Sequence, residues 1–305
     1  KRLIKEFPLE DNIKLAYIDA LFKKKKFKDL ANVVEVFYKD TKKEDVLKIT
    51  SLALLEIEEY SKAKTFLHRL VDLYPHPLSY NYLAICCAKL DEKEKSFKFF
   101  QEAFKLDDQN PVIYINFANF LRESNRTDEA IKVLKEFDKR IENINVLILL
   151  SGILRDVQDH NEALNYCHKA IQIDNENPNL LLILAVINLE IGKKEESIKN
   201  LKKAIELKPF FGPAYRLLSL LKFKIKEDVI GELERYLLDS VDGDVNSIHL
   251  GLAVSSFFEQ EKKYEKSFIY LKKYNSSYRK LIKYNQNELV EKFQNVKNFY
   301  NSIKN

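Results

Sequence analysis

NVLILLSGILRDVQDHNEALNYCHKAIQIDNENPNLLLILAVINLEIGKKEESIKNLKKAIELKP, running from Asn145 to Pro209, is one helical-hairpin pattern written almost twice. Ala163, Cys167, Ala170 and Asn175 recur as Ser197, Leu201, Ala204 and Pro209, and a small residue stands twelve positions before each set, at Ser151 and Ala185. Self-similarity at about 34 residues marks stacked helix pairs, in which no unit buries its apolar face without a neighbour. The small residues have a mechanical reason. A side chain no larger than Ala or Ser lets two helix axes approach closely, and the surrounding Leu, Ile and Phe then fill the grooves.

The pattern extends in both directions. Second-helix crossing positions fall at Leu30, Ala63, Ser96, Ala130, Ala163 and Ser197, spaced 33, 33, 34, 33 and 34 apart, with first-helix partners twelve residues earlier at Ile18, Ser51, Ala84, Ala118, Ser151 and Ala185. All but the first pair are small. The pattern loosens after Pro209: Ser219 keeps the first-helix place, but Gly231 stands where the second helix would carry Ala. Register returns with Ser255 and Ser267, and Ser240–Asp244, SVDGD, reads as a loop. Leu289, Val290, Phe293, Val296, Phe299, Tyr300 and Ile303 recur at helical spacing and suit a capping or linking helix. The expected organisation is the end of a preceding repeat over 1–10, a regular array over 11–209, degenerate repeats over 210–285 and the capping helix over 286–305. Lys1 to Pro8, KRLIKEFP, resembles the close of a second helix, so the chain is expected to begin inside a repeat.

Composition agrees with an all-α reading. Only 6 Gly and 7 Pro occur in 305 residues, charge is high with both signs mixed, and aliphatic and aromatic residues are plentiful. A net charge of +5 without a concentrated basic face does not argue for nucleic acid. No apolar run is long enough to cross a bilayer and no signal sequence opens the chain, so no membrane partner is expected. Three cysteines, Cys86, Cys87 and Cys167, are too few and wrongly spaced for a disulfide or zinc framework, which suits a cytoplasmic protein. The five histidines are isolated, and neither a metal nor any other cofactor is expected.

The small and large residues at these offsets, with Leu83, Phe117, Leu150 and Leu184 one position before the small first-helix residue and Pro75 and Pro209 after the second helix, resemble tetratricopeptide repeats. The resemblance covers about Asp11 to Pro209 and implies a right-handed α-solenoid of seven to eight helix pairs whose concave face receives a peptide or partner helix. The family's Trp is absent, and its closing Pro is replaced at Asp108, Glu142 and Asn175. A second resemblance covers AYRLLSLLKF, Ala214 to Phe223, and the helix from Leu250 to Lys280. These are similar to the region joining repeats to the catalytic domain in bacterial tetratricopeptide-sulfotransferase fusions. That resemblance implies a recruiting arm for a downstream catalytic domain. No Gly-rich phosphate loop lies in this sequence, so no sulfotransferase activity is carried over.

Positions one and four residues after the small first-helix residue are expected to point inward. They give Asn119 and Arg122, then Gly152 and Arg155, then Val186 and Leu189; Arg216 stands three before Ser219 and Leu220 one after it. Arg122 and Arg155 hold equivalent places in consecutive repeats and are expected to form a short cationic ladder for a carboxylate or main-chain amides of a ligand. The alternative is that Glu123 and Asp156, adjacent to them, hold both arginines in surface ion pairs. Of the family's carboxylate clamp, only Asn119 and the arginines match in kind. Lys23 to Lys26 reads as a polyanion contact or as a solvated turn. Tyr215 and Phe223, in the degenerate repeat, are expected to stay partly exposed as a docking patch. The function expected is binding of a protein or peptide without chemistry.

Overall fold

A computed structural model of the chain describes residues 11–240 and 243–281, together with 290, 293, 294 and 297. The expected helix end at Lys1 to Pro8, most of the capping helix and two residues of the SVDGD loop lie outside the described residues. All regular structure among the described residues is helical, and no helix there is long and apolar enough to cross a membrane. The helices are α1 (Asp11–Lys23), α2 (Phe27–Phe37), α3 (Glu44–Glu56), α4 (Tyr60–Leu73), α5 (Pro77–Lys89), α6 (Lys93–Leu106), α7 (Pro111–Glu123) and α8 (Thr127–Asp138). They continue with α9 (Ile144–Asp156), α10 (His160–Ile173), α11 (Pro178–Glu190), α12 (Lys194–Leu207), α13 (Gly212–Leu220), α14 (Glu227–Asp239), α15 (Val245–Gln260) and α16 (Tyr264–Leu281). The chain divides into two compact units, Lys1–Leu154 and Arg155–Asn305.

In the N-terminal unit the helices pair as the register requires. Every crossing position from Ile18 and Leu30 to Ala118 and Ala130 is buried, as is Ser151. Around them the core is filled by Leu47, Leu54, Leu67, Leu70 and Leu83 in one cluster and by Ile18, Leu21, Val34 and Val46 in its neighbour. Each such side chain contributes about 1.5–3 kcal/mol relative to exposure. Ser96 and Ser197 are buried with hydroxyls that have no hydrogen-bond partner among the described residues, so these positions use the small size of Ser and not its polarity.

The turns inside the hairpins repeat as strictly as the crossings. Lys25, Glu58, Asp91, Asn125, Gln158 and Gly192 all have positive φ, seven residues after the first-helix crossing position. Around them the chain closes the first helix with paired bonds: Glu59 N–H to Leu54 O at 2.9 Å and Glu58 N–H to Leu55 O at 3.0 Å; Lys193 N–H to Asn188 O at 2.7 Å and Gly192 N–H to Leu189 O at 3.0 Å. This is the Schellman closure, which satisfies carbonyls the helix leaves over and normally uses Gly at the left-handed residue. Only Gly192 meets that preference; the others carry a cost of about 1–2 kcal/mol each, outweighed by closure and packing. Lys23 to Lys26 is the end of α1 and one such turn, with Lys23 2.6 Å from Asp19. Pro opens α5, α7 and α11, and Asn110 and Asn177 cap α7 and α11 by accepting main-chain N–H groups.

The C-terminal unit departs from this plan after α12. α13 is only 9 residues long, and its left-handed residue, Lys222, follows Ser219 by three positions. The helix has lost one turn. α13 lies chiefly against α15, and Gly212 N–H donates to Asn246 Oδ1 at 2.8 Å while Asn246 Nδ2 donates to Phe210 O at 2.9 Å. A Cβ on Gly212 would stand 2.1 Å from Asn246 O, and one on Gly251 would stand 2.1 Å from the buried Tyr274 ring. Gly231 is not a crossing position: a Cβ there meets nothing within 4 Å, and Ile230 beside it carries the buried face of α14 with Leu233 and Leu237. Of the expected docking patch, the partial exposure of Tyr215 is corrected and that of Phe223 is met. Tyr215 is 6% exposed inside the α13–α15 core, and Phe223 is half-buried beneath Lys202, whose Nζ is 5.1 Å from the ring centre.

Candidate partner-binding site

In the C-terminal unit the last two residues of α9, the turn after them and the start of α10 face the C-terminal half of α11 across an open cleft of about 790 Å³. Its lining is Arg155, Asp156, Gln158, His160, Val186 and Glu190. Local sequence positions each one. Arg155 and Asp156 end α9, Gln158 is the left-handed residue of the turn, and Asp159 caps α10 by accepting the Glu162 N–H at 3.1 Å, which sets His160 on the first turn. Val186 follows the crossing residue Ala185 and Glu190 ends α11.

The cleft sets the Arg155 guanidinium against two carboxylates, Asp156 and Glu190. Arg155 donates from Nε at 3.2 Å and from one terminal nitrogen at 2.5 Å to Asp156 Oδ1, with the two side chains 25% and 41% exposed. The ion pair expected as the alternative role for Arg155 is therefore formed. It uses two of five guanidinium donors and, at this exposure, contributes little to stability. His160 Nδ1 lies 3.6 Å from Glu190 Oε2, beyond hydrogen-bond reach. The cleft thus offers guanidinium, imidazole, carboxamide and carboxylate groups beside one aliphatic side chain.

Of the residues expected at the site, Arg155 and Val186 come together here. Leu189 is half-buried on the same helix as Val186. Arg216 is half-buried against α15, donating to Ser256 Oγ at 3.1 Å and Leu252 O at 3.4 Å. Burial holds its pKa below the ordinary arginine value, and burial together with Arg216 pushes the neighbouring His249 down. Leu220, at the end of α13, is 59% exposed. Asn119 and Arg122 are both half-buried on α7 in the N-terminal unit, where Glu123 pairs with Lys89 at 2.8 Å. Gln158, His160 and Glu190 were not singled out from the sequence. The signal for Gln158 was its place seven residues after a crossing position; nothing local pairs His160 with Glu190, thirty residues on.

The thiols are structural. Cys86, Cys87 and Cys167 are fully buried, and burial pushes the Cys86 thiol up to about 12. Among the described residues no group of three or more His, Cys, Asp or Glu is placed to hold a metal ion.

Fold and register together define an all-α helical-repeat protein. Residues 154–221, which contain every residue lining this cleft, match the tetratricopeptide repeat family. The chain is similar to the apo form of the quorum sensor NprR from B. thuringiensis, with a TM-score of 0.56 and 17% identity over 87% of this chain and 86% of that one. It is also similar to the human IFIT1 dimer with m7Gppp-AAAA, with a TM-score of 0.55 and 19% identity over 82% of this chain and 63% of that one. Identities this low speak for the fold alone. Among curated proteins, the BBSome complex member BBS4 from Bos taurus is 26% identical over 91 residues, a stretch covering 30% of this chain and 18% of that protein.

Proposed function

We propose that this chain is a protein-interaction scaffold that binds an extended segment of a partner protein, without chemistry, through the cleft between the α9–α10 turn and α11. The carrying observation is that one open cleft of about 790 Å³ brings Arg155, Gln158 and His160 beside Val186. A planar guanidinium can exchange the Asp156 carboxylate for one on a ligand, the carboxamide suits a main-chain amide, and Val186 accepts an apolar side chain. Leu189 and the exposed Leu220 extend the contact within the same unit, with Arg216 as a positioning group on α13. Asn119 and Arg122 are proposed as contacts on the N-terminal unit. The location proposed is cytoplasmic.

The test is partner binding by calorimetry with the unaltered chain, Arg155→Glu and Val186→Asp, using a partner recovered by pull-down and confirmed as purified protein. Loss of at least about tenfold in affinity for each variant is expected; unchanged affinity for both removes the cleft from the interface. Because IFIT1 is seen with m7Gppp-AAAA, the same capped oligonucleotide is the counter-test: tight retention would replace a protein partner with RNA.

A second reading makes the chain the recruiting arm of a longer sulfotransferase, its C-terminal helices docking the catalytic domain. It rests on the similarity of Ala214 to Phe223 and Leu250 to Lys280 to that junction. A parent reading frame without a phosphate-binding loop after Asn305 would exclude it.

A further inference from the structure

We propose a second binding site, on the N-terminal unit, for an acidic protein segment that anchors by a single aliphatic side chain. The site is a cleft of about 200 Å³ between α2 and α4, floored by Thr50 and Leu54 of α3 and walled by Ala31 and Phe66. It shares no residue with the α9–α11 cleft, and it goes beyond the function proposed above.

The cleft has a cause in the register. One position before the small first-helix residue, later repeats of this unit carry Leu83, Phe117 and Leu150, all buried. Each fills the space beneath the second helices. In α3 that place is taken by Thr50, and the volume a Leu or Phe would occupy is left as the cleft. Thr50 is only 1% exposed, yet its hydroxyl has no hydrogen-bond partner among the described residues. The floor therefore offers no exposed polar atom, and the space above it suits an aliphatic side chain.

Charge at the mouth selects the partner. Lys39, Lys62 and Arg69 stand at the rim against one carboxylate, Glu35. Arg69 is held in place: it donates to Lys39 O at 2.6 Å, lies 3.7 Å from the exposed Asp40, and sits over Phe66 with the guanidinium carbon 5.7 Å from the ring centre. Lys39 and Lys62 pair with no carboxylate among the described residues. With Asp40 offsetting Arg69, two lysines against Glu35 keep the rim cationic, and carboxylates flanking an aliphatic anchor are the complementary pattern.

The test titrates the blocked peptide Glu-Glu-Leu-Glu-Glu into the 305-residue chain with Leu and Thr methyl groups labelled for NMR. The Thr50 and Leu54 methyl signals are expected to shift, saturating at roughly millimolar peptide as suits one anchored side chain. Thr50→Leu, which fills the cleft as Leu83 does at the same register, is expected to weaken binding at least about tenfold while keeping the melting temperature. The surface variant Lys39→Glu/Lys62→Glu is expected to weaken binding by a similar factor, whatever Thr50→Leu does to folding. No shift at saturating peptide overturns the proposal and leaves a gap in packing only. An equal response to Glu-Glu-Ala-Glu-Glu or to Lys-Lys-Leu-Lys-Lys also overturns it, by removing the anchor or the charge selection.

Discussion

Ser197 and Ser267 hold the same crossing place on the second helices α12 and α16, yet they work differently. Ser197 is buried against α11 with a hydroxyl that bonds nothing among the described residues. Ser267 faces Ser255 across the α15–α16 crossing: Ser255 Oγ donates to Ser267 O at 2.9 Å, and the two hydroxyls are 3.1 Å apart. The regular repeat needs only a small side chain. The last pair has come so close that polar atoms bond across it, and at Gly251, one turn earlier, there is no room for any side chain against Tyr274. A shared register therefore fixes where helices meet, but each crossing settles its own distance.

The strongest way to break that contrast is to add one methyl group where none fits. Gly212→Ala and Gly251→Ala are each expected to destabilise the chain by about 3 kcal/mol, since a Cβ collides with main chain in the first and with a buried ring in the second. Urea unfolding followed by far-UV circular dichroism reads this directly, the chain having no Trp. A cost under about 1 kcal/mol for both would show that α15 relaxes freely and that the close packing is not required.

The serines should respond with opposite signs. Ser255→Ala removes a bonded hydroxyl from a buried pair and is expected to cost about 1.5 kcal/mol, whereas Ser197→Ala removes an unpartnered one and is expected to stabilise by about 1 kcal/mol. Equal and same-signed changes would erase the distinction between the two crossings. Gly231→Ala, with open space around its Cβ, is expected to gain about 0.5–1 kcal/mol from helix propensity alone.

The smallest change expected is with pH. His249 and His68 both have pKa values lowered, chiefly by burial, with Arg216 adding to the first and Lys64 to the second. The unfolded chain then binds more protons than the folded one once pH drops below about 6.5, so stability falls progressively as pH moves down toward the folded-state values. His249→Gln should flatten part of the slope, and a melting temperature independent of pH between about 7 and 5 would contradict the burial of both rings.

Much of the regular array was legible in the sequence because crossing positions depend on periodicity, a property of neighbours three and four residues apart. Apart from Gly231, the positions from Ile18 to Ser267 named as crossings are buried, and Cys167, which holds the place of Leu201 in the next repeat, is buried like it. The left-handed turns escaped notice for a physical reason: five of the six regular ones use Lys, Glu, Asp, Asn or Gln where Gly would have announced them. Tyr215 was misread as exposed because a broken repeat pattern on α13 says nothing of α15, which covers it. At the candidate site, Arg155 and Val186 followed from register, while His160 and Glu190 depended on a turn bringing separate helices face to face.

What the sequence by itself determined was the kind of object: an all-α array of helix pairs with a period near 34, set by where small and large side chains alternate along each helix. Only the tertiary structure decided that α13 ends one turn early and rests on α15, that Gly212 and Gly251 carry the closest approaches, and that Thr50 leaves a cleft its equivalents fill. Those outcomes depend on what a residue meets from a helix some twenty to forty positions away, and no local pattern carries that information.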